Sequence, residues 1–523
     1  MGNLPGVLPR PDLAAIPLRA AAEILGLVAA DLPDVLVSGV ALNSSAVRAG
    51  DLFAAVPGEH AHGSQFVPEA IAAGATVVLT DPQGAGLLSG VCSVPVVSVP
   101  AVRSKLGELA ALVYGHPAER LLTVGVTGTN GKTTTTFLLE AGMRAAGLRT
   151  ALVGTVETRI GDERIQAVRT TPEAPDLQAL LAVAVQRGVD ALALEISSHA
   201  LAQHRVDGLV VDVAVFTNLS QDHLDFHLTM DDYFAAKASL FTPARAHRGV
   251  VNLDSAWGRQ LLELAEVECR TFSALGDPAA DWRATDTAVG PLGSDLVVVG
   301  PAGQRIPLHV PLPAEFNIDN ALAACAAAAA AGLDVEAVAR GIAACRGVPG
   351  RMQRVAGTAD VLAIVDYAHT PDAVELLLTN LRRVTKGQLV VVLGCGGERD
   401  RSKRPAMGAA AARLADVVVL TDDNPRGEDS ATILEQMLAG IAELVEHGEI
   451  LVNPDRDQAI RLAVNRTAPG DTVVVAGKGH EHGQEVRGQV RPFDDVSQLA
   501  TALLARAAEI DARPVSSSLG HRS

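Results

Sequence analysis

Aromatic side chains are almost missing from this chain. Ten Phe, three Tyr and two Trp make up 3% of its 523 residues. Its cores must therefore be built from alanine, valine and leucine, within an apolar share of 48%. Cysteine is scarce too: Cys92, Cys269, Cys325, Cys345 and Cys395 are scattered, with no CxxC pair. That excludes a disulfide frame and a cysteine zinc site, and it suits a reducing compartment. No apolar run approaches the ~20 residues of a membrane span. The N-terminus lacks the basic-then-apolar pattern of a leader. A cytoplasmic protein without membrane insertion is expected. A basic surface is lacking as well, since the net charge is -17. This argues against nucleic acid and against anionic membranes as partners. Any anionic ligand must be held by local arginines, lysines and backbone donors. Lysine itself is rare, supplying six of 43 basic residues: Lys105, Lys132, Lys237, Lys386, Lys403 and Lys478. In a chain that defaults to arginine, each lysine inside a chemically suggestive run raises a question, because its amine can shift its pKa or be modified.

What is present gathers first at residues 121–139, LLTVGVTGTNGKTTTTFLL. Residues 121–126 read as a strand, and Gly128 and Gly131 permit a tight loop whose amides can face phosphate oxygens. Thr129 and Asn130 lie between them. Lys132 can reach outer phosphates, the Thr133 hydroxyl can ligate Mg²⁺, and the helix opening through Thr134 offers its positive dipole end. Val126 stands where the strict Walker pattern has its first glycine, so this is a shortened form. A nucleoside triphosphate site is the better reading than a bare strand-to-helix turn.

At roughly 150 residues per domain, the length predicts three domains. Residues 1–118 read as a small α/β unit, with a strand over 36–41, a helix over 67–73 and a strand over 75–80. Residues 119–347 form a central unit, and 348–512 a third with four strands (361–366, 388–393, 417–420, 472–476) alternating with helices, as in a doubly wound sheet. Residues 513–523 read as a disordered tail. In the central unit two polar clusters follow strands, at Glu195-Ile-Ser197-Ser198-His199 and Asn218-Leu-Ser-Gln-Asp222-His223. Strand C-termini are where open parallel sheets place ligands. Glu195 and His223 can join Thr133 around a divalent metal, although a capping acid and a turn histidine are equally ordinary. Lys237 falls in an apolar helix over 233–241. It is either a snorkelling surface lysine, the commoner fate, or one that is modified or metal-linked. Four polar loops share one edge of the third unit's sheet, at Asp366-Tyr-Ala-His369, Gly396-Gly-Glu-Arg399-Asp400, Asp422-Asp423-Asn424-Pro425-Arg426 and Gly477-Lys478-Gly479-His480-Glu481.

The runs GTNGKTT, EISSHAL, TNLSQDHLDFH, YFAAKASLF, NIDN, GRMQRV, DYAHTPDA and GKGHE occur in the order seen in the Mur ligases. The chain resembles that family, ATP-dependent amide-bond-forming enzymes of peptidoglycan synthesis, over nearly its whole length. The resemblance implies an α/β fold of three domains: a small uridine-binding domain, a central P-loop ATPase-like domain with a parallel sheet, and a C-terminal Rossmann-like domain. TTPEAPDL and DNPR resemble the branch that adds the third peptide residue, meso-diaminopimelate, to UDP-MurNAc-L-Ala-D-Glu. A guanidinium at Arg426 can hold the second carboxylate that distinguishes diaminopimelate from lysine.

The resemblance further implies uridine contacts from Leu42 and Ser44, with Glu59, His60 and Ala61 nearby. Here LNSSAVRAG departs from the common DSR form, with Asn43 and Ser45 around Ser44. Thr170, Thr171, Ser197, Gln203 and Arg205 would hold the muramoyl dipeptide. Asn317 and Asn320, with Asp366 and His369, would contact adenosine. Arg399, Asp423, Asn424, Pro425, Arg426, Gly477 and Glu481 would form the amino-acid pocket, Glu481 facing the distal ammonium. Lys237 would be carbamylated and would ligate Mg²⁺ with Thr133, Glu195 and His223, two metal ions being expected. Lys132, Lys237, His223 and Glu195 would carry the chemistry, through an acyl phosphate. A monomer is expected. The rivals are another ligase of the superfamily (lysine-adding, D-Ala-D-Ala-adding or folylpolyglutamate-forming), a nucleotide-driven switch or transport ATPase, and an inactive binding protein.

Overall fold

The computed structural model describes residues 8–58, 61–166, 169–356 and 360–511, without the side chains at 225 and 509–511. Glu59, His60 and the tail at 513–523 lie outside the described residues. Among those described, no helix is long and apolar enough to cross a membrane.

The N-terminal unit is a parallel sheet in sequential order, Gly39–Ala41, Asp51–Ala55, Val77–Thr80 and Val96–Ser98. The single strand expected over 36–41 is instead two. Leu36–Val37 pairs with Ile16–Pro17, and after Ser38 the chain joins the four-stranded sheet. This unit is seated firmly on its neighbour, because Ala179 and Ala182 of the helix Ala174–Gln186 belong to its core. At Gly107 the two units approach closely, since a Cβ there would lie 1.8 Å from the Asp207 carbonyl oxygen.

The central unit holds an 11-stranded sheet. Its middle is parallel: Thr150–Val153, Ala191–Glu195, Leu122–Thr127, Val211–Phe216, Ala246–Asn252, Glu268–Ser273 and Trp282–Gly290 run side by side. Both ends of this parallel sheet are extended by antiparallel strands. Thr158–Ile160 and Glu163–Ile165 extend one edge, and Gly293–Val299 and Arg305–Val310 the other. Thr150–Val153, Ala191–Glu195, Leu122–Thr127 and Val211–Phe216 are buried on both faces almost throughout, as their largely apolar sequences require. The alanine-rich helix Phe316–Ala330 packs against this sheet and the helix Lys132–Ala145, where small side chains let backbones come close.

The C-terminal sheet runs in the order Gln353–Arg354, Leu362–Asp366, Thr472–Ala476, Leu389–Leu393, Val417–Leu420, Glu449–Val452, parallel except for its first strand. The four strands read from the sequence are all present. Their C-terminal ends carry the four polar loops, as the doubly wound pattern predicts.

Candidate active site

The loop after Leu122–Thr127 is built by its glycines. Gly128 has φ +145 and Gly131 φ +86. A Cβ on Gly128 would meet Thr217 Oγ1 at 2.0 Å, and one on Gly131 would meet Asn320 Oδ1 at 2.3 Å. Two loop amides are already committed: Thr129 N donates to the Asn218 carbonyl and Asn130 N to Asn218 Oδ1, both at 2.9 Å. The donors left for an anion are those of the first helical turn at 132–134, which have no intrahelical acceptor. Lys132 folds back over the loop, donating to the Gly128 and Thr129 carbonyls at 2.8 Å. Burial pushes its pKa down, against the pull of Glu195 and Asp222.

Beside the loop, Glu195 is fully buried. Its Oε2 accepts from Thr133 Oγ1 at 3.0 Å and Thr155 Oγ1 at 2.9 Å, and its Oε1 from Thr155 N. Thr155 Oγ1 reaches Thr170 Oγ1 at 3.0 Å, so these groups form one hydroxyl–carboxylate network. Among the described residues no group of three or more His, Cys, Asp and Glu gathers to hold a metal. The donor set at the loop is one hydroxyl and one carboxylate, with His223 on the same cavity wall. That set fits Mg²⁺, which takes one or two carboxylates and completes its shell from phosphates and water.

Lys237 is not a surface lysine. It is 1% exposed, with Nζ donating to the Gly128 carbonyl at 2.7 Å and lying 4.5 Å from the Tyr233 ring centroid. The same carbonyl already takes Lys132, so two ammonium groups converge on the loop, and among the described residues no carboxylate is bonded to either. Burial, then Lys132, lowers the Lys237 pKa well below its ordinary value. Its helix, Met230–Ala238, stops before Leu240 and Phe241, which pack into the core from the following turn.

A cavity of about 240 Å³ opens over the loop. The central unit lines it with residues 129–134, Thr155, Thr170, Glu195, Ser197, Asp222, His223, Asn317 and Asn320. The C-terminal unit supplies Arg351, Tyr367, His369 and Asp366. Asn317 and Asn320 are joined by a 3.0 Å hydrogen bond. Asp366 is spent on backbone, accepting from Met352 N and Ala368 N, and burial raises its pKa while Arg351 opposes. Burial and then Lys403 lower the pKa of His369, whose carbonyl accepts from Lys403.

Sequence reasoning missed Arg351. Its guanidinium lies 4.4 Å over the Tyr367 ring, and Nη2 donates to Thr133 Oγ1 at 3.4 Å, so a C-terminal cation enters the phosphate-loop cavity. The signal lies in GRMQRV, where Arg351 is one arginine among the many of this chain. Thr155 and Tyr367 were also missed.

Other expected residues lie elsewhere. Thr171 is buried behind the cavity, its hydroxyl donating to the Glu195 carbonyl at 2.8 Å. Gln203 and Arg205 bond each other, and Arg205 pairs with Glu173 at 3.1 Å. Neither lines the cavity. Leu42, Ser44 and Ala61 line a second cavity of about 540 Å³ between the N-terminal and central units, with Arg10, Arg48, Arg103 and Arg169. Ser44 itself donates to Glu69 at 2.8 Å.

Arg399, Asp423, Asn424, Pro425, Arg426, Gly477 and Glu481 do not line the phosphate-loop cavity. They form a separate cluster in which Arg426 donates to the Gly397 carbonyl at 2.6 Å and lies 3.5 Å from Glu485. Glu481 turns Oε2 to Asn424 and to Lys478, at 2.8 and 3.1 Å, rather than presenting both oxygens to a ligand. Next to Glu481, His480 has its pKa taken down to about 4 by burial and then by Arg351.

Family profiles match this arrangement unit by unit. The "Mur ligase family, catalytic domain" covers 36–114, the "Mur ligase middle domain" 126–328, and the "Mur ligase, glutamate ligase domain" 350–479. A Streptomyces avermitilis protein named UDP-N-acetylmuramoyl-L-alanyl-D-glutamate--2,6-diaminopimelate ligase is 56% identical over 500 residues, 95% of this chain and 98% of its own. The chain belongs to the Mur ligase family. A Corynebacterium glutamicum relative of the same name is 45% identical over 91% of this chain and 94% of its own. A Leifsonia xyli relative at 42%, covering 94% and 96%, is named UDP-N-acetylmuramyl-tripeptide synthetase. Among solved structures, one of a UDP-N-acetylmuramoyl-L-alanyl-D-glutamate--2,6-diaminopimelate ligase superposes with TM-score 0.68 at 34% identity, over 94% of this chain and 100% of that one. The Mur ligase fold seen here extends to a Thermotoga maritima MurF ligase, with TM-score 0.62 at 18% identity over 92% and 100%.

Proposed function

We propose that this chain is the ATP-dependent ligase that joins meso-diaminopimelate to UDP-MurNAc-L-Ala-D-Glu, the MurE reaction. The observation that carries the reading is the cavity in which a glycine loop, Lys132, Glu195 and Arg351 from the next domain face one space. That is the equipment for bringing an anionic carboxylate against an anionic phosphate.

In the first step a D-Glu γ-carboxylate oxygen bonds the γ-phosphorus of ATP and ADP leaves. Lys132, the helix-turn amides and Arg351 hold the phosphate charge as it gathers. Thr133, Glu195 and His223 would hold Mg²⁺, which supplies further neutralisation when bound. In the second step the diaminopimelate amine bonds the acyl carbon, phosphate leaves and the amine gives up a proton. Carbamylation of Lys237 is part of the proposal, and what supports it is burial of an ammonium beside a second one, with no carboxylate bonded to it among the described residues. As a carbamate the side chain becomes an oxygen ligand and the like-charge contact disappears. The four arginines of the 540 Å³ cavity support its reading as the UDP-sugar site, in place of the missing DSR form. The Asn317–Asn320 pair with His369 is the adenosine side of the first cavity, and the loops at 396–399, 423–426 and 477–481 form the amino-acid site.

The test is ADP release by purified protein with ATP, Mg²⁺ and UDP-MurNAc-L-Ala-D-Glu, offered diaminopimelate or lysine. Release that depends on diaminopimelate, with a tripeptide product, is expected. ADP release independent of any amino acid would instead favour a nucleotide-driven motor or switch.

A further inference from the structure

Lys478 is the second lysine buried completely in this protein, and the ligase chemistry above gives it no task. An ammonium withdrawn from water is costly unless it is paired and hydrogen-bonded. Here Nζ donates to Asn424 Oδ1 at 3.0 Å and to Glu481 Oε2 at 3.1 Å. Asn424 closes the triangle, its Nδ2 donating to the same Glu481 oxygen at 2.8 Å. Asn424 Oδ1 also accepts from Glu485 N at 3.0 Å, and Arg426 N donates to the Glu485 carbonyl at 3.0 Å. One buried cation thus stitches the loop bearing Arg426 to the loop bearing Glu481. Two donors fix Oε2 of Glu481, and among the described residues Oε1 takes no hydrogen bond. The Glu481 side chain is 34% exposed, so that second oxygen is open to a ligand.

We propose that Lys478 is a positioning residue for the amino-acid substrate, holding Asn424 and Glu481 so that Glu481 Oε1 meets an ammonium group of the incoming diamino acid. Lysine suits this place because a compact ammonium can serve a carboxylate and an amide carbonyl at once in a site closed to water. Methionine would leave Glu481 with one donor and free to rotate. The inference rests on the ligase reading, and the experiment separates the two.

Full-length protein is assayed for ADP release with each substrate varied in turn. If the unaltered protein shows no diaminopimelate-dependent release, the ligase reading falls and this inference with it. Given that activity, Lys478→Met should raise the KM for diaminopimelate roughly 30-fold or more, as expected for removing one partner of a buried hydrogen-bonded charge pair. The KM values for ATP and the UDP-sugar should stay within about twofold, as expected for sites that do not share these contacts. Adding Glu481→Gln to Lys478→Met should cost little more, because the oriented carboxylate is already lost. Should the methionine variant not fold, Lys478→Gln, which keeps one donor and loses the charge, carries the same expectation. An unchanged diaminopimelate KM overturns the proposal. So does a parallel rise in all three KM values, or independent multiplication of the two substitutions.

Discussion

At the scale of single residues, this protein spends its few lysines where arginine's fixed fork would not serve. Lys132 and Lys237 converge on the Gly128 carbonyl, and Lys478 bridges two loops from below. Lys237→Ala should collapse turnover, by about a hundredfold or more if a metal-holding group is lost. Partial rescue by high concentrations of a small carboxylic acid should follow, and full activity without rescue would remove the carbamate claim. On the proposed reading Arg426 would hold the second carboxylate by charge and fork geometry, so Arg426→Ala should reduce kcat/KM for diaminopimelate far more than for lysine. The ratio of the two, measured in one assay, should fall by about tenfold or more; equal losses would contradict a selectivity role. Lys132, Lys237 and Arg426 were legible as candidates, and Lys478 only as a rare lysine within a polar loop. Burial was not, because a lysine on an apolar helix reads the same whether it snorkels or points inward.

Elements place these residues with little tolerance. The strand–loop–helix at 122–145 was legible because glycines, a β-prone run and a threonine-rich helix start agree. What the sequence did not reveal is that Asn320, far along the chain, presses against Gly131. Gly131→Ala should therefore strain the left-handed backbone by about 1–2 kcal/mol and push Asn320 aside. A lower melting temperature with a raised KM for ATP is expected, whereas an unaltered KM would mean that the loop tolerates a Cβ. In the same helix as Asn320, Asp319 has its pKa raised to about 7 by burial, with Asp254 adding repulsion. Folding favours its protonated form, so its contribution is fully present below about 3.8 and is lost as pH rises through 7. Asp319→Asn removes that loss. Its melting-temperature advantage over the parent should grow from pH 4 to pH 8, and a constant difference would refute the assignment. The hairpins at 282–310 were not legible because their strands carry no motif, and only pairing in the sheet defines them.

For the whole molecule, the question is how separate sites act on one bond. Arg351 already crosses into the phosphate-loop cavity, while Arg426 and Glu481 stand outside it. On the proposed reading the C-terminal unit must swing further over the central one, which would exclude water from the acyl phosphate. Small-angle scattering should show a smaller radius of gyration with a non-hydrolysable ATP analogue and the UDP-sugar together than without ligands; identical curves would argue against closure. Gln353–Arg354, Glu449–Val452 and the helices Arg456–Asn465 and Asp495–Asp511 were not legible along the chain, whereas three units, four of the six strands in the third unit's sheet with three of its helices, and the chemistry class were. Those depend on local periodicity and on residue types in fixed order, which the chain carries along its length. Tertiary structure alone decided which face each lysine took, that Arg351 and Thr155 join Thr133 and Glu195, and that Arg205 pairs with Glu173. Those outcomes depend on which distant segments pack together, and solvent exclusion between them is written in no short stretch of chain.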